Sequence, residues 1–288
     1  MLSFSLSLYI FNVRAGQCIF VCPYNDLNYC TLDRTLDCTL IDCGCDNRVL
    51  NFVKSRLPKN ILGNLTLTNY DEDHFSGITA ISQQNIEIKT ICFAHNLECE
   101  EIRQLKTEET PNLKKILDLK KKTYDHNDHN MLNWLRPYKE YLYCLDKSDL
   151  EECTTNNLSQ MVFLEYGNFM MCVPGDLEQE GWEKILKKEG VIEKLKSTNV
   201  LIASHHGREN GYYPEVFNYC KPECIIISDG GIEYDTQKNM PSKYAQHVKD
   251  GINFCKTTRQ VLTTRKDGDL LINIDHFGNH IYLPGKIV

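Results

Sequence analysis

Residues 65–78 read Leu-Thr-Leu-Thr-Asn-Tyr-Asp-Glu-Asp-His-Phe-Ser-Gly-Ile, and this stretch decides the fold. Its first four residues predict the end of a buried strand, and its last residues predict the entry to a helix. Between them, Asp71, Asp73 and His74 place three metal-ligating side chains within four positions. Carboxylate and imidazole groups at the carboxyl end of a strand suit a divalent cation held on a rigid scaffold. A polar turn with an aspartate N-cap is the alternative explanation of the same residues.

The composition of the chain is that of an ordinary globular protein. It has 288 residues, of which 42% are hydrophobic and 25% are charged. The formal net charge is −7, so no general basic field is available to hold a nucleic acid. A polyanion would therefore have to be bound locally or through a metal ion.

Cysteine usage and the amino-terminal segment bear on the cellular compartment. The 14 cysteines do not form paired C-x-x-C knuckles, and we interpret most of them as reduced, buried side chains of a cytoplasmic protein. Residues 1–11 are apolar but lack a basic region and a small-residue cleavage site, so a first strand is predicted instead of a signal peptide. No apolar run of about 18 residues occurs, and no transmembrane helix is expected.

Paired apolar runs joined by short polar stretches predict three hairpins. They are residues 2–12 with 18–22, residues 161–166 with 169–173, and residues 260–264 with 269–274. Further buried strands are predicted at residues 38–44, 200–203 and 224–228. Helical patterns lie between several of them, which indicates an α/β fold.

The composition changes between residues 95 and 156, which are rich in Lys, Glu and Asn with helical spacing of their apolar residues. We predict a mostly helical insertion here, within a single domain that spans residues 1–288. A solvated surface is the first interpretation of such charge runs. A lid over the functional site, or a surface for a protein partner, is the alternative. His126 and His129 in this segment are a weaker metal-binding candidate.

Polar side chains also follow three other predicted strands. Asp42 lies in the Asp-x-Gly that ends the strand at residues 38–44, Asp176 follows the second hairpin, and His205 and His206 follow residues 200–203. Ligands gather beyond the carboxyl ends of strands in open sheets, so these residues are expected to converge with the 71–74 cluster. Two metal ions about 4 Å apart could share a carboxylate there and activate water for hydrolysis.

The order of these motifs resembles the metallo-β-lactamase superfamily, and most closely the nuclease-like domain of the ComEC competence-channel family. Residues 12–18 loosely resemble the family's opening Asp-Val-Gly-Gln-Gly-Asp turn, and residues 41–44 match its Ile-Asp-x-Gly. Residues 68–74 match its Ser-His-x-Asp-x-Asp-His, and residues 157–159 match its Asn-x-Ser. Residues 175–176 match its Gly-Asp, residues 204–207 its His-His-Gly, and residues 263–268 its closing Thr-x-x-x-Gly turn.

The resemblance implies a four-layer αββα sandwich and a metal-dependent hydrolase that cleaves phosphodiester bonds, with a nuclease as the first expectation. It implies that one or two divalent ions, Zn or Mn, are held by Asp71, Asp73, His74, Asp176 and one of His205 and His206. In catalysis, Asp73 would lie near the attacking water as ligand or base, His74 would act beside it, and Asp42 would orient the ligand histidine.

Two positions depart from the family pattern. Asn69 stands where the first histidine of the superfamily motif belongs, and an amide oxygen is a weak ligand, so one metal position should be poorer or empty. Arg208 follows the His-His-Gly where a small hydroxyl residue is usual, and its guanidinium could clamp a phosphate group. Asn69 and Arg208 are therefore the predicted substrate-binding residues. The membrane channel of the competence proteins is absent from this sequence, and no membrane partner is expected.

Two alternatives to a nuclease remain. The first is the hydrolysis of a small nucleotide or phosphoester, which the net charge of −7 favours slightly. The second is a degenerate binding module of a multiprotein complex, in which the loss of the motif histidine marks an inactive site and residues 95–156 form the partner surface.

Overall fold

A computed structural model describes residues 4–13, 16–25, 37–93, 97–122, 133 and 136–285. Its first sheet has seven strands in the order β15-β14-β1-β2-β3-β4-β5. Their bounds are β1 Phe4–Ile10, β2 Ile19–Asn25, β3 Thr39–Ile41, β4 Ile61–Thr66, β5 Glu87–Cys92, β14 Leu270–Ile274 and β15 His280–Pro284. Strands β3, β4 and β5 run parallel, so their carboxyl ends meet at one edge.

The second sheet has six strands in the order β13-β10-β9-β8-β7-β6. Their bounds are β6 Lys139–Tyr143, β7 Met161–Tyr166, β8 Phe169–Val173, β9 Val200–Ile202, β10 Cys224–Ile227 and β13 Val261–Thr263. Strands β8, β9, β10 and β13 are mutually parallel. A separate small hairpin joins β11 Ile252–Phe254 to β12 Thr257–Arg259.

The helices connect these strands and cover both sheets. The α-helices are Asn47–Lys54, Glu72–Phe75, Ile78–Gln83, Cys99–Gln104, Pro111–Lys122, Gln179–Ile185, Val191–Lys196, Met240–Ala245 and Thr264–Asp267. Short 3₁₀ turns lie at Pro58–Asn60, Lys147–Asp149, Ser204–Gly207, Glu209–Gly211, Pro214–Asn218 and Asp235–Lys238. No helix within the described residues is long and apolar enough to cross a membrane.

Three apolar cores separate four layers. Leu8 of β1 and Leu164 of β7 belong to the core between the two sheets. The neighbouring Tyr9 packs into the core under the helices of the first sheet, and Phe163 belongs to the core under the helices of the second. Successive side chains of a strand point to opposite faces, so each strand contributes to two cores. The predicted four-layer αββα architecture is confirmed.

Two of the three predicted hairpins are present and one is wrong. Strands β1 and β2 pair antiparallel, and so do β7 and β8. Strands β13 and β14 do not pair: β13 lies parallel to β10 in the second sheet, and β14 lies antiparallel to β1 in the first. The chain crosses between sheets through the helix Thr264–Asp267. Asp267 sets this turn, because its carboxylate binds the Arg259 guanidinium at 2.9 Å and accepts from the Thr263 amide at 2.8 Å.

The described part of the 95–156 segment contains two α-helices, a 3₁₀ turn and a strand. Helices Cys99–Gln104 and Pro111–Lys122 bury Ile102, Ile116 and Leu117 in the core of the first sheet. Strand β6 then pairs antiparallel with β7 and forms the edge of the second sheet. The prediction of a mostly helical insertion therefore overlooks a strand that belongs to the sandwich. His126 and His129 lie outside the described residues.

Candidate metal centre

The carboxyl ends of parallel strands from both sheets open onto one site. Asp42 follows β3, and the helix that carries Asp73 and His74 follows β4. Asp176 follows β8, and the turn that carries His206 follows β9. This is the edge at which ligands collect in sheets of this kind.

Glycine at position 44 allows the two strand ends of the first sheet to come together. A Cβ atom at Gly44 would lie 1.6 Å from the carbonyl oxygen of Asp73, so any other residue would force the backbones apart. The Cys43 amide donates to the His74 carbonyl at 2.8 Å, and the Gly77 amide donates to the Cys43 carbonyl at 2.8 Å. The close backbone contact places His74 directly against the end of β3.

Four side chains form a compact cluster: Asp73, His74, Asp176 and His206. One nitrogen or oxygen atom of each lies within 4.8 Å of the others. His74 Nε2 is 3.1 Å from an Asp176 oxygen, and His206 Nε2 is 3.2 Å from an Asp73 oxygen. The side chain of Asp73 is 29% exposed and lines a cavity. The side chains of His74, Asp176 and His206 are buried.

The unpaired atoms of this cluster face one another. His74 Nε2, His206 Nε2 and Asp176 Oδ1 are buried and make no hydrogen bond within the described residues. The opposite ring nitrogens are engaged, because His74 Nδ1 is 2.8 Å from Asp42 Oδ2 and His206 Nδ1 is 2.9 Å from the Ser228 carbonyl. Carboxylate and carbonyl oxygens only accept, so each Nδ1 carries a proton. Each neutral ring then offers its Nε2 lone pair to a metal ion.

The donor set fits a divalent ion. Two imidazole nitrogens and two carboxylate oxygens match the ligands that zinc takes in proteins, and manganese accepts the same groups. The engaged Nδ1 atoms give each ring the outer contact that ligand histidines commonly have. The cluster therefore has the chemistry of a metal site, and these four residues could hold one ion.

Without a metal ion, the negative charges of the cluster favour protonation of the two histidine rings. Burial lowers the pKa of His74, but the charges of Asp176 and Asp42 outweigh it and hold that pKa well above 6.5. Burial also lowers the pKa of His206, and the Asp176 charge and the adjacent Asp73 carboxylate raise it above 6.5. Burial raises the pKa of Asp73, while the adjacent His206 and His74 rings bring it down to about 2. Metal binding must therefore displace protons from the two rings.

Asp42 fixes the orientation of His74. It is fully buried, and its carboxylate accepts hydrogen bonds from the Thr68 amide at 2.7 Å, the Thr68 hydroxyl at 2.6 Å and the Gln17 side chain at 2.8 Å. The His74 ring is its fourth partner. Asp42 lies outside the four-residue cluster, in the orienting position that the resemblance implies.

Replacing Asp42 with asparagine is expected to weaken metal binding about 10- to 100-fold, the usual cost of losing such an outer contact. The amide keeps the shape of the side chain but removes the charge that holds the Nδ1 proton of His74. The measurement is the dissociation constant for Zn²⁺ or Mn²⁺ by titration calorimetry. Asp46→Asn is the control, because Asp46 caps the helix Asn47–Lys54 and an asparagine keeps that cap. An affinity equal in both variants would contradict the orienting role.

The sequence does not say which of His205 and His206 belongs to the metal centre, and the structure places only His206 in the cluster. His205 and His206 both have positive φ angles, of 51° and 53°, a conformation that non-glycine residues seldom adopt. The turn sends His206 into the cluster and His205 away from it. His205 Nε2 lies 3.1 Å from the Arg208 guanidinium, and its Nδ1 lies 3.5 Å from Glu178.

The remaining predicted site residues lie at the rim. Asp71 lies outside the cluster and contacts Lys106. Asn69 is buried, and its side chain is bonded to backbone and side-chain groups around it. Arg208 lies between two cavities, pairs with Glu233 at 2.5 Å and stacks over the Tyr234 ring at 5.3 Å. Each of these placements leaves the predicted role of the residue untested.

One cavity opens onto the cluster, and a second, larger cavity shares Arg208 with it. The smaller, of about 280 Å³, is lined by Asp73 and His206 together with Arg208 and Asp229. The larger, of about 600 Å³, is lined by Arg208 and His205 and by four glutamates, Glu152, Glu178, Glu180 and Glu209. The smaller cavity is thus the one that gives access to the cluster, and the larger one carries an acidic lining.

Asp229 is a site residue that the sequence analysis missed. It is buried at the end of β10, lines the smaller cavity and pairs with Arg265. Burial raises its pKa to about 6 even though Arg265 lowers it. An aspartate directly after a buried strand is the signal that identified Asp42 and Asp176, and the same signal at 224–229 would have found Asp229.

Comparisons with known proteins add a fold neighbour. No family model matches this chain, and no curated protein matches it. Among solved structures, it is similar to the metallo-β-lactamase fold protein YhfI from Bacillus subtilis, with 10% identity and a TM-score of 0.47 over 96% of this chain and 99% of that one. Similarity at this level says nothing of activity, and the fold described above rests on the strand order and the three cores.

Proposed function

We propose that the protein is a metal-dependent hydrolase that cleaves phosphodiester bonds. The observation that carries the proposal is the cluster of Asp73, His74, Asp176 and His206, whose unpaired buried atoms face one another beside a cavity. A divalent ion in such a site supplies Lewis acidity and lowers the pKa of a bound water molecule. The order of sequence motifs, which resembles that of a nuclease-like family, supports phosphodiesters as the substrate class.

The residues around the cluster have separate tasks in this proposal. Asp42 and the Ser228 carbonyl hold the two histidine rings in the tautomer that binds metal. Asp73 is the only one of the four cluster members whose side chain is more than slightly exposed, so it lies nearest to the substrate and can accept a hydrogen bond from the attacking water. Arg208 lines both cavities and presents a fixed positive charge to a phosphoryl group.

The substrate is either a nucleic acid or a small phosphodiester. The motif order favours a nucleic acid. The lining of the larger cavity favours a small substrate, because its four glutamates outnumber Arg208 and would repel a phosphate backbone. The net charge of −7 acts in the same direction. We therefore expect a small phosphodiester to be the better substrate.

Salt dependence separates the two substrate classes. For a small nucleotide phosphodiester, KM is expected to change by less than about threefold between about 50 and 200 mM salt, since few counterions are released. A nucleic acid held by six to ten phosphate contacts would lose affinity by about 10³-fold or more over the same range. The measurement is KM for a chromogenic nucleotide diester and for single-stranded DNA and RNA at several salt concentrations.

Two controls complete this test. Arg208→Gln should weaken either substrate, whereas Arg103→Gln, on the surface helix Cys99–Gln104, should weaken neither. Steep salt dependence with DNA or RNA as the better substrate would instead establish the nuclease. A protein that binds metal and cleaves neither class would overturn the proposed function and favour the binding-module alternative.

A further inference from the structure

Asp71 is engaged by two groups, both of which contact its Oδ1 atom. Its carboxylate contacts the Lys106 ammonium and accepts a hydrogen bond from the Thr155 hydroxyl at 3.0 Å. Both partners come from the 95–156 segment, on either side of strand β6. The Asp71 and Lys106 side chains are 31% and 18% exposed, so the pair is partly shielded from water. Such shielding strengthens a contact between opposite charges.

Asn69 is also engaged. Its side-chain amide donates to the Ser159 hydroxyl at 3.0 Å, and its side-chain carbonyl accepts from the Asp71 amide at 2.8 Å. The second bond closes a local turn, which is a common use of asparagine. A metal ion bound by the Asn69 carbonyl would compete with the Asp71 amide, and one bound by Asp71 would lie beside the positive charge of Lys106.

The balance of charge around the cluster also disfavours a second metal ion. Asp73 and Asp176 together carry two negative charges, which one divalent ion neutralises. Asp71 is the one carboxylate among the predicted ligands outside the cluster, and Lys106 already balances its charge. In the described part of the chain, the cluster of four is the one group of at least three such side chains placed to hold a metal ion.

We propose, on the basis of the proposed function, that the Lys106 ammonium takes the place of a second metal ion beside Asp71, and that the centre holds a single divalent ion. The second positive charge of the site is then built into the chain. Lys106 is a positioning residue in this arrangement: it holds Asp71 and the turn at Asn69, and so fixes the backbone that leads into Asp73 and His74.

The test is a manganese titration of the full-length protein after removal of metal by a chelator. Binding is followed by elemental analysis and by electron paramagnetic resonance, which distinguishes an isolated Mn²⁺ ion from a spin-coupled pair. The wild-type protein is expected to bind about one equivalent and to give the signal of an isolated ion. Asp71→Asn is expected to bind the same amount, with an affinity changed by less than about threefold.

Reversing the charge at Lys106 is the decisive variant. Lys106→Glu places a second carboxylate beside Asp71 and removes the cation, so we expect it to bind about two equivalents and to give the coupled signal. Lys147→Glu is the matched control, because Lys147 lies in the same segment and pairs with Glu101 instead of Asp71. It is expected to stay at one equivalent. Circular dichroism and thermal unfolding show whether each variant is folded.

The outcomes distinguish this inference from the proposed function. Two equivalents of similar affinity in the wild-type protein, or loss of an ion in Asp71→Asn, would overturn the inference and leave the hydrolase standing. A Lys106→Glu variant that is folded and still binds one ion would show that Lys106 does not replace the second ion. A wild-type protein that binds no ion would overturn both. If Lys106→Glu does not fold, the wild-type and Asp71→Asn results still decide whether the centre holds one ion.

Discussion

Replacing Asp176 with asparagine is expected to abolish stoichiometric metal binding and to lower kcat/KM by about a thousandfold or more. Asp176 lies at the middle of the cluster, 3.1 Å from His74 and 3.6 Å from His206, and its Oδ1 atom has no hydrogen-bond partner among the described residues. The amide keeps the volume of the side chain but removes a negative charge and weakens a ligand. A loss of about 4 kcal/mol in transition-state stabilisation corresponds to this factor.

Metal content and kinetics are measured on the same preparations. Elemental analysis gives the metal bound per chain, and initial rates with a chromogenic phosphodiester give kcat/KM. Glu183→Gln is the control, because Glu183 is an exposed acid on the helix that follows Asp176 and pairs only with Lys187 among the described residues. An Asp176→Asn protein that keeps its metal and its rate would refute the assignment of the cluster as the active centre.

Metal affinity is expected to fall steeply as the pH is lowered. His74 and His206 must lose a proton each before they bind an ion, and their pKa values lie above 6.5 in the metal-free protein. Below both pKa values, each unit of pH should weaken the apparent affinity by up to about a hundredfold, because two protons compete. Asp73, with its pKa near 2, does not compete in this range. Titration calorimetry between about pH 6 and 9 measures the affinity, and buffers of different ionisation enthalpy count the protons released.

The pH dependence of the stability of the metal-free protein provides an independent check of these pKa values. A histidine whose folded pKa is raised stabilises the fold below its unfolded pKa of about 6.5, and this contribution is lost as pH rises through the folded pKa. The unfolding temperature of the metal-free protein should therefore fall at alkaline pH, where Asp73 and Asp176 face each other without protonated histidines. Added Zn²⁺ or Mn²⁺ should raise the unfolding temperature at alkaline pH again. Release of no protons on binding, together with a stability independent of pH, would contradict this description of the centre.

The sequence by itself predicted the architecture and most of the centre, because these depend on local patterns. Apolar runs and the helical patterns between them predicted an α/β fold, and the order of the motifs, through the family that it resembles, predicted the four layers. Asp73, His74, Asp176 and the His205–His206 pair were identified because each follows a buried strand. The same local reasoning failed for residues 260–274, where two apolar runs and a Lys-Asp-Gly turn look like a hairpin but belong to different sheets.

Contacts between residues far apart in the chain decided the rest. Whether His205 or His206 enters the cluster depends on the backbone of one turn and on the Ser228 carbonyl, which accepts from His206 across 22 positions. Whether Asp71 is free to bind metal depends on Lys106, which lies 35 positions away. Local patterns specify the charge and the direction of a side chain, but its partner is chosen only when the sheets and helices pack. The sequence therefore determined which groups could bind a metal ion, and the tertiary structure decided which of them face one another.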